Sequence, residues 1–230
     1  MPTSQDSWPE FLSLAVHEFR TPASVVSGYL RMLLNDQSSP LSDRQRKMLS
    51  EAEKSCARLV ALIAEMNDVS KLDAGLVKLS REPLDLFAMV EEVAASVHEA
   101  QDRGVRLEVR GTPAGATMMG DGPRLRQAFA AIFRAILREQ GGACTVVVER
   151  RLTTDASRGA AAIIVAEENA VQSAYESAHT SFDEKRGGMG LALPLARRVI
   201  EGHGGGLSSP AGASERGAAI ITFPRPELSR

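Results

Sequence analysis

The sequence predicts a helical hairpin forming a dimeric four-helix bundle, followed by an α/β sandwich. Three observations carry that expectation. Before residue 75, apolar residues recur at alternating steps of three and four over two long stretches. After residue 83, short alternating runs are interleaved with amphipathic stretches, as in a sheet that carries helices. The chain has 230 residues, 43% hydrophobic and 24% charged, which is enough for one or two soluble domains with a real core. The expected division is residues 1–78 for the hairpin and 79–230 for the sandwich.

Ser7 to Asn35 reads as one helix. Leu12, Val16, Phe19, Ala23, Val26, Leu30 and Leu33 are spaced 4, 3, 4, 3, 4, 3, a heptad seam. Phe11, Val25, Tyr29 and Met32 widen the apolar face beyond what a two-stranded coil needs. A polar loop, Asn35 to Pro40, follows. Ser42 or Asp43 is expected to cap the second helix, whose seam is Leu49, Ala52, Cys56, Leu59, Ile63 and Met66. That helix runs to about Leu72, and Gly75 stops it. One hairpin has more apolar surface than it can hide. Pairing with a second copy as a homodimer resolves this; packing on the rest of the same chain is the other solution.

In the second half, Lys78 to Pro83 reads as a linker and Leu84 to Asp102 as an amphipathic helix. Val105 to Val109 and Ala116 to Met119 are candidate strands. Pro123 to Arg138 is a helix, with Leu125, Phe129, Ile132, Phe133 and Ile136 on its buried face. Cys144 to Leu152 and Ala160 to Glu167 are strands joined by a polar turn. Glu168 to Gly188 has no period and reads as a mobile loop. Gly190 to Gly202 is a helix, and Ala218 to Phe223 a last strand. The result is a mixed sheet with helices on one face.

The chemistry is concentrated in Val16-His17-Glu18-Phe19-Arg20-Thr21-Pro22. On a helix His17 and Thr21 share a face one turn apart, and the long Glu18 side chain can swing to the imidazole. An imidazole near its ordinary pKa is a good nucleophile, and a carboxylate on its other nitrogen fixes the tautomer. Pro22 has no N–H for the carbonyl of Glu18, so a bend is expected there. His98-Glu99 lacks the Thr-Pro continuation and reads as surface.

This stretch resembles the H-box, H-E-x-x-T-P, of two-component sensor histidine kinases. The resemblance implies a phosphoacceptor at Nε2 of His17, Glu18 as base on Nδ1, and Thr21 placing water to dephosphorylate a response regulator. It also implies a partner, the regulator's receiver domain. The second half is similar to the family's Bergerat (GHKL) ATP-binding domain, which implies ATP and Mg as cofactors. Gly188-Met189-Gly190-Leu191-Ala192-Leu193, followed by His203-Gly204-Gly205, resembles the G2 box and the H-G-G after it. Glycines at a loop-to-helix junction let backbone N–H groups approach phosphates. His203 reads as a packing residue.

The other nucleotide boxes depart from the family. Asp121 to Gln127 matches the lead-in to the N-box, but its asparagines fall on Ala131 and Ala135. The family's lysine is Arg138 and its tyrosine Glu139. An alanine methyl cannot ligate a hard cation, so no metal ligand is assigned. Val165 to Val171 stands at the G1 box, with Glu167 in place of the adenine-binding Asp and both glycines lost to Asn169 and Val171. The cofactor-binding residues implied by the resemblance are therefore Arg138, Glu167, Gly188, Gly190 and Leu191. Two readings remain open: a working histidine autokinase and phosphatase, or a dimeric scaffold or histidine phosphotransfer protein that does not use ATP.

Composition limits the partners. A formal net charge of −2 points to neither nucleic acid nor an anionic membrane. Cys56 and Cys144 have no metal-ligand spacing and read as reduced residues of a cytoplasmic chain. Met1 to Glu10 lacks the cationic start and apolar run of a signal peptide. No apolar run approaches the roughly 18 residues that span a bilayer, so no membrane contact is expected in this chain, and any sensor or anchor lies outside it.

Overall fold

A computed structural model describes residues 8–113, 115–152, 161–212 and 217–224. The chain divides into two compact units, Met1–Val77 and Lys78–Arg230.

The first unit is a hairpin of α1 (Trp8–Asn35) and α2 (Asp43–Asp73). Its ends follow from local chemistry. Ser42 and Gln45 form a capping box: the Ser42 hydroxyl accepts the Gln45 N–H at 3.3 Å, and the Gln45 side chain accepts the Ser42 N–H at 2.9 Å. At the other end Gly75, with φ +64°, donates to Leu72 O at 3.0 Å, and Leu76 donates to Lys71 O at 2.9 Å. That Schellman pattern needs the left-handed residue glycine supplies. Pro22 lies inside α1, which continues past it.

The two helices run antiparallel. Val16, Ala23 and Ile63 are buried together, with Val60 and Met66 beside them. The Cys56 thiol donates to the Ala23 carbonyl at 3.2 Å, and Arg31 meets Glu53 at 3.3 Å nearer the loop. The heptad seam therefore splits. Val16 and Ala23 turn toward α2, whereas Phe19, Val26 and Leu33 keep 57%, 51% and 48% of their surface exposed, and Leu59 keeps 50%. The side chain of Phe11 and residue Ser7 lie outside the described residues.

The second unit contains β1 (Glu82–Asp85), α3 (Leu86–Ser96), β2 (Arg106–Gly111), β3 (Thr117–Gly120), α4 (Gly122–Glu139), β4 (Thr145–Leu152) and β5 (Ala161–Glu167). It continues with α5 (Val171–Glu176), β6 (His179–Ser181), α6 (Ala192–Gly202), β7 (Gly206–Pro210) and β8 (Ala219–Phe223). Among the described residues, six strands form one sheet in the order β2-β4-β5-β8-β7-β6, while β1 and β3 pair separately. In that sheet β2 and β4 are parallel and the other described pairs antiparallel. The predicted face of α4 is the core: Leu125, Phe129, Ile132, Phe133 and Ile136 are all fully buried. The Phe129 ring stands 5.9 Å from Phe133 and 6.4 Å from Phe223 of β8, and so seats α4 on the sheet.

Four expectations need correction. The helix predicted over Leu84 to Asp102 ends at Ser96, after which Val97 is extended and Ala100 has φ 60°. Leaving the helix lets Arg103 donate to the carbonyls of Leu137, Arg138 and Gln140 at the end of α4. The stretch Lys78 to Pro83 is not wholly linker, because β1 begins at Glu82. Glu168 to Gly188 is a structured segment, not a loop. Val171 and Ala174 of α5 are buried against Ala162, Ile164, Ala166 and Ile220. These alternate with the β5 residues on the α4 side, since Ala161 pairs with Phe223. Helices thus cover both faces of the sheet, not one. The turn expected between β4 and β5 lies outside the described residues.

Asp85 is the cap of α3 and carries a testable consequence. Its carboxylate accepts the N–H groups of Phe87 at 2.9 Å and Ala88 at 3.2 Å, and of Gly115 at 3.1 Å. Partial burial pushes its pKa up, but these donors and the nearby Arg150 outweigh burial and hold it below 3.8. A pKa depressed on folding adds stability above the unfolded value, and that stability is lost as pH falls through the folded one. Asp85→Ala is expected to cost about 1 kcal/mol at neutral pH. The gap from the parent protein should close below pH 3.8, measured by denaturant melts across pH.

Candidate functional site

Two clusters, one in each unit, hold most of the residues singled out by the sequence; Glu167 lies apart from both. In the hairpin, His17 follows the buried Val16 and so points outward, with 78% of its side chain exposed and 70% of that of Glu18. The Glu18 carboxylate stands 3.5 Å from Nδ1 of His17. That is an approach just longer than a formed hydrogen bond, and it leaves Nε2 unhindered. Thr21 is exposed one turn later, on the same face as His17. Nothing here needs distant parts of the fold; a single helical turn carries the constellation.

In the second unit the glycine loop presses against α4. Gly187, Gly188 and Gly190 have φ of +63°, +60° and +64°, and Leu191 precedes the first turn of α6. The Gly187 N–H donates to the Glu139 carboxylate at 2.8 Å, and the Gly187 carbonyl accepts from Arg138 at 3.2 Å. Arg138 also donates to Glu99 at 2.7 Å. A Cβ on Gly187 would lie 2.8 Å from the Cα of Ala135, so only glycine can sit there. Behind the loop the buried guanidinium of Arg186 donates to the Asp183 carbonyl at 3.0 Å, the Ala218 carbonyl at 3.1 Å and the Ser209 hydroxyl at 2.8 Å. It stacks 4.0 Å from the centre of the Phe182 ring.

The structure thus joins Arg138 to the glycine loop through Gly187, a residue that its sequence context does not single out. Glu167 lies elsewhere, exposed at the end of β5, where its charge adds to burial in pushing the Cys144 thiol up. The neighbouring Glu168 pairs with Arg110 at 2.6 Å. His203 is a structural staple. Its Nε2 accepts the Asp121 N–H at 2.9 Å, so the proton sits on Nδ1, 2.6 Å from the Val199 carbonyl. Arg186 and Gly187 escape a reading of the sequence, as does the contact of Glu139 with Gly187, because charge and glycine spacing alone do not say which helix a loop will meet.

A magnesium–nucleotide complex does not fit this arrangement. Ala131 and Ala135 are buried methyls on the loop-facing helix. Among the described residues no group of three or more His, Cys, Asp or Glu is placed to hold a metal ion. The Gly187 N–H, of the kind that would meet a phosphate, already has an anionic partner. Among the described residues no helix is long and apolar enough to cross a membrane.

Comparison with known proteins agrees with the hairpin geometry. Residues 8–75 match the His Kinase A (phospho-acceptor) domain family. The sensor protein GacS of Pseudomonas syringae pv. syringae is 31% identical over 224 residues, covering 90% of this chain and 24% of GacS. The signal transduction histidine-protein kinase BarA of Escherichia coli (strain K12) is 28% identical over 210 residues, covering 86% of this chain and 22% of BarA. The chain therefore spans about a quarter of the length of these relatives. Among solved structures, full-length ShkA in complex with AMPPNP superposes with a TM-score of 0.72 at 24% identity, over 96% of this chain and 47% of ShkA. The Acinetobacter baumannii histidine kinase AdeS gives 0.51 at 18% identity, over 89% of this chain and 94% of AdeS; both show a common fold. An exposed His-Glu pair lies on a hairpin that matches the phospho-acceptor domain family, and the chain as a whole is similar to the transmitter module of two-component sensor histidine kinases.

Proposed function

We propose that this chain carries a phosphoryl group on His17 and exchanges it with the aspartate of a response-regulator receiver domain. The observation that supports this reading most is the exposed His17 with Glu18 at 3.5 Å from Nδ1. The Nε2 lone pair attacks the phosphorus of the receiver's acyl phosphate. A P–N bond forms, the P–O bond to the aspartate breaks, and the aspartate leaves as a carboxylate. The imidazole gains positive charge, which the Glu18 carboxylate stabilises through the Nδ1 proton. When water attacks the same phosphorus instead, the Thr21 hydroxyl holds it in place and inorganic phosphate is released.

Homodimerisation belongs to the same reading. Phe19, Val26, Leu33 and Leu59 are half-exposed on the hairpin and fit a four-helix bundle made with a second copy. Two free cysteines suit a cytoplasmic setting. Resemblance to a kinase solved with AMPPNP supports a nucleotide-binding ancestry for the second unit, but no step above passes through ATP.

The test uses receiver domains charged with radiolabelled phosphate. The expected product is acid-labile, alkali-stable label on the peptide that contains His17, together with free phosphate. Label confined to another peptide would exclude His17 as the acceptor.

A further inference from the structure

We propose that Glu139 is an internal anion that latches the glycine loop shut on α4 and keeps a magnesium–nucleotide complex out. The latch is independent of the chemistry at His17. Consecutive residues of α4 hold both backbone polar groups of one loop residue. Glu139 accepts the Gly187 N–H at 2.8 Å, and Arg138 donates to the Gly187 carbonyl at 3.2 Å. The first contact is charge-assisted and places a carboxylate where a glycine-rich turn would offer its N–H to a phosphate. Arg138 is itself anchored by Glu99 at 2.7 Å, so the grip does not depend on a free side chain.

Steric fit completes the closure. The approach of Gly187 to Ala135 leaves no room for a Cβ: one would lie 2.8 Å from the Ala135 Cα and 3.1 Å from its Cβ. Ala135 is fully buried where the loop approaches it, so Ala135 and Gly187 are a matched pair. The loop is also held from behind. Arg186 is buried at 3% exposure, with its guanidinium on the carbonyls of Asp183 and Ala218 and the hydroxyl of Ser209. A metal-bridged triphosphate lying between a glycine loop and this helix would have to displace Glu139, lift Gly187 from Ala135 and separate Arg138 from the Gly187 carbonyl. Asparagine at position 135 would have to fit a fully buried site beside the loop, so it does not by itself create a metal ligand.

Two measurements on the full chain test the latch. Hydrogen–deuterium exchange of the peptide containing Gly187 is expected to speed up by roughly ten- to a hundredfold in Glu139→Ala, the worth of one charge-assisted hydrogen bond. Glu139→Gln, which keeps the size and loses the charge, should fall between the two. Peptides from β4 and β5 should be unchanged, which separates latch opening from general unfolding. Unchanged exchange at Gly187 in both variants would overturn the latch. Calorimetric titration of the parent protein with AMPPNP and Mg²⁺ is expected to show no saturable binding below the millimolar range. Micromolar, Mg²⁺-dependent binding would overturn the exclusion.

Discussion

His17→Gln is expected to abolish acceptance of phosphoryl label from a charged receiver domain, by at least about three orders of magnitude, because it removes the only nucleophile in the constellation. Glutamine offers an amide nitrogen whose lone pair is delocalised, so it cannot replace Nε2. The side chain is 78% exposed, so the melting temperature should hardly move, with a stability change within about 0.5 kcal/mol. The neighbours divide the chemistry. Glu18→Gln keeps a polar partner for Nδ1 but loses the charge that stabilises the imidazolium, and transfer should slow on the order of a hundredfold. Thr21→Ala should slow release of free phosphate more than transfer to protein. The assay counts protein-bound label and free phosphate separately. Undiminished transfer to protein carrying His17→Gln would show that another group is the acceptor.

Val26→Glu together with Leu59→Glu is expected to convert a dimer into monomers. Both positions are about half-exposed on the hairpin, so neither carboxylate disturbs the Val16–Ala23–Ile63 contact that holds α1 to α2. In a four-helix bundle they would be buried, and each uncompensated charge there costs several kcal/mol. Symmetry places every substitution in the assembly twice, so the penalty exceeds what an interface of this kind yields. Multi-angle light scattering over a concentration series decides it. A dimer that survives both changes would mean that these two positions lie outside the interface.

The features legible in the amino-acid sequence are the ones written in neighbouring residues. The cap of α2, read as Ser42 or Asp43 and found at Ser42, and the stop at Gly75 each depend on a single turn of chain. The buried face of α4 follows from a 3.6-residue period, and the His17–Glu18–Thr21 constellation from one turn of α1. In all of these, residues a few positions apart already settle the geometry. The short strands are a different matter. β6 and β7 read His-Thr-Ser and Gly-Leu-Ser-Ser-Pro, without the apolar alternation that marks a strand, and exist because each finds a paired neighbour.

The heptad seam is legible as a period, but not as a division of labour. Only the tertiary structure sends Val16 and Ala23 toward α2 and leaves Phe19, Val26 and Leu33 outside, because one antiparallel partner covers one edge of a helix. The same holds for the glycine loop. Its glycines announce a tight turn beside a helix, and Ala131 and Ala135 announce a missing metal ligand. That Gly187 lies against Ala135, held by Arg138 and Glu139, depends on residues about fifty positions apart meeting in space. Such a contact is set by where the sheet and its helices pack, which the local pattern of side chains does not encode.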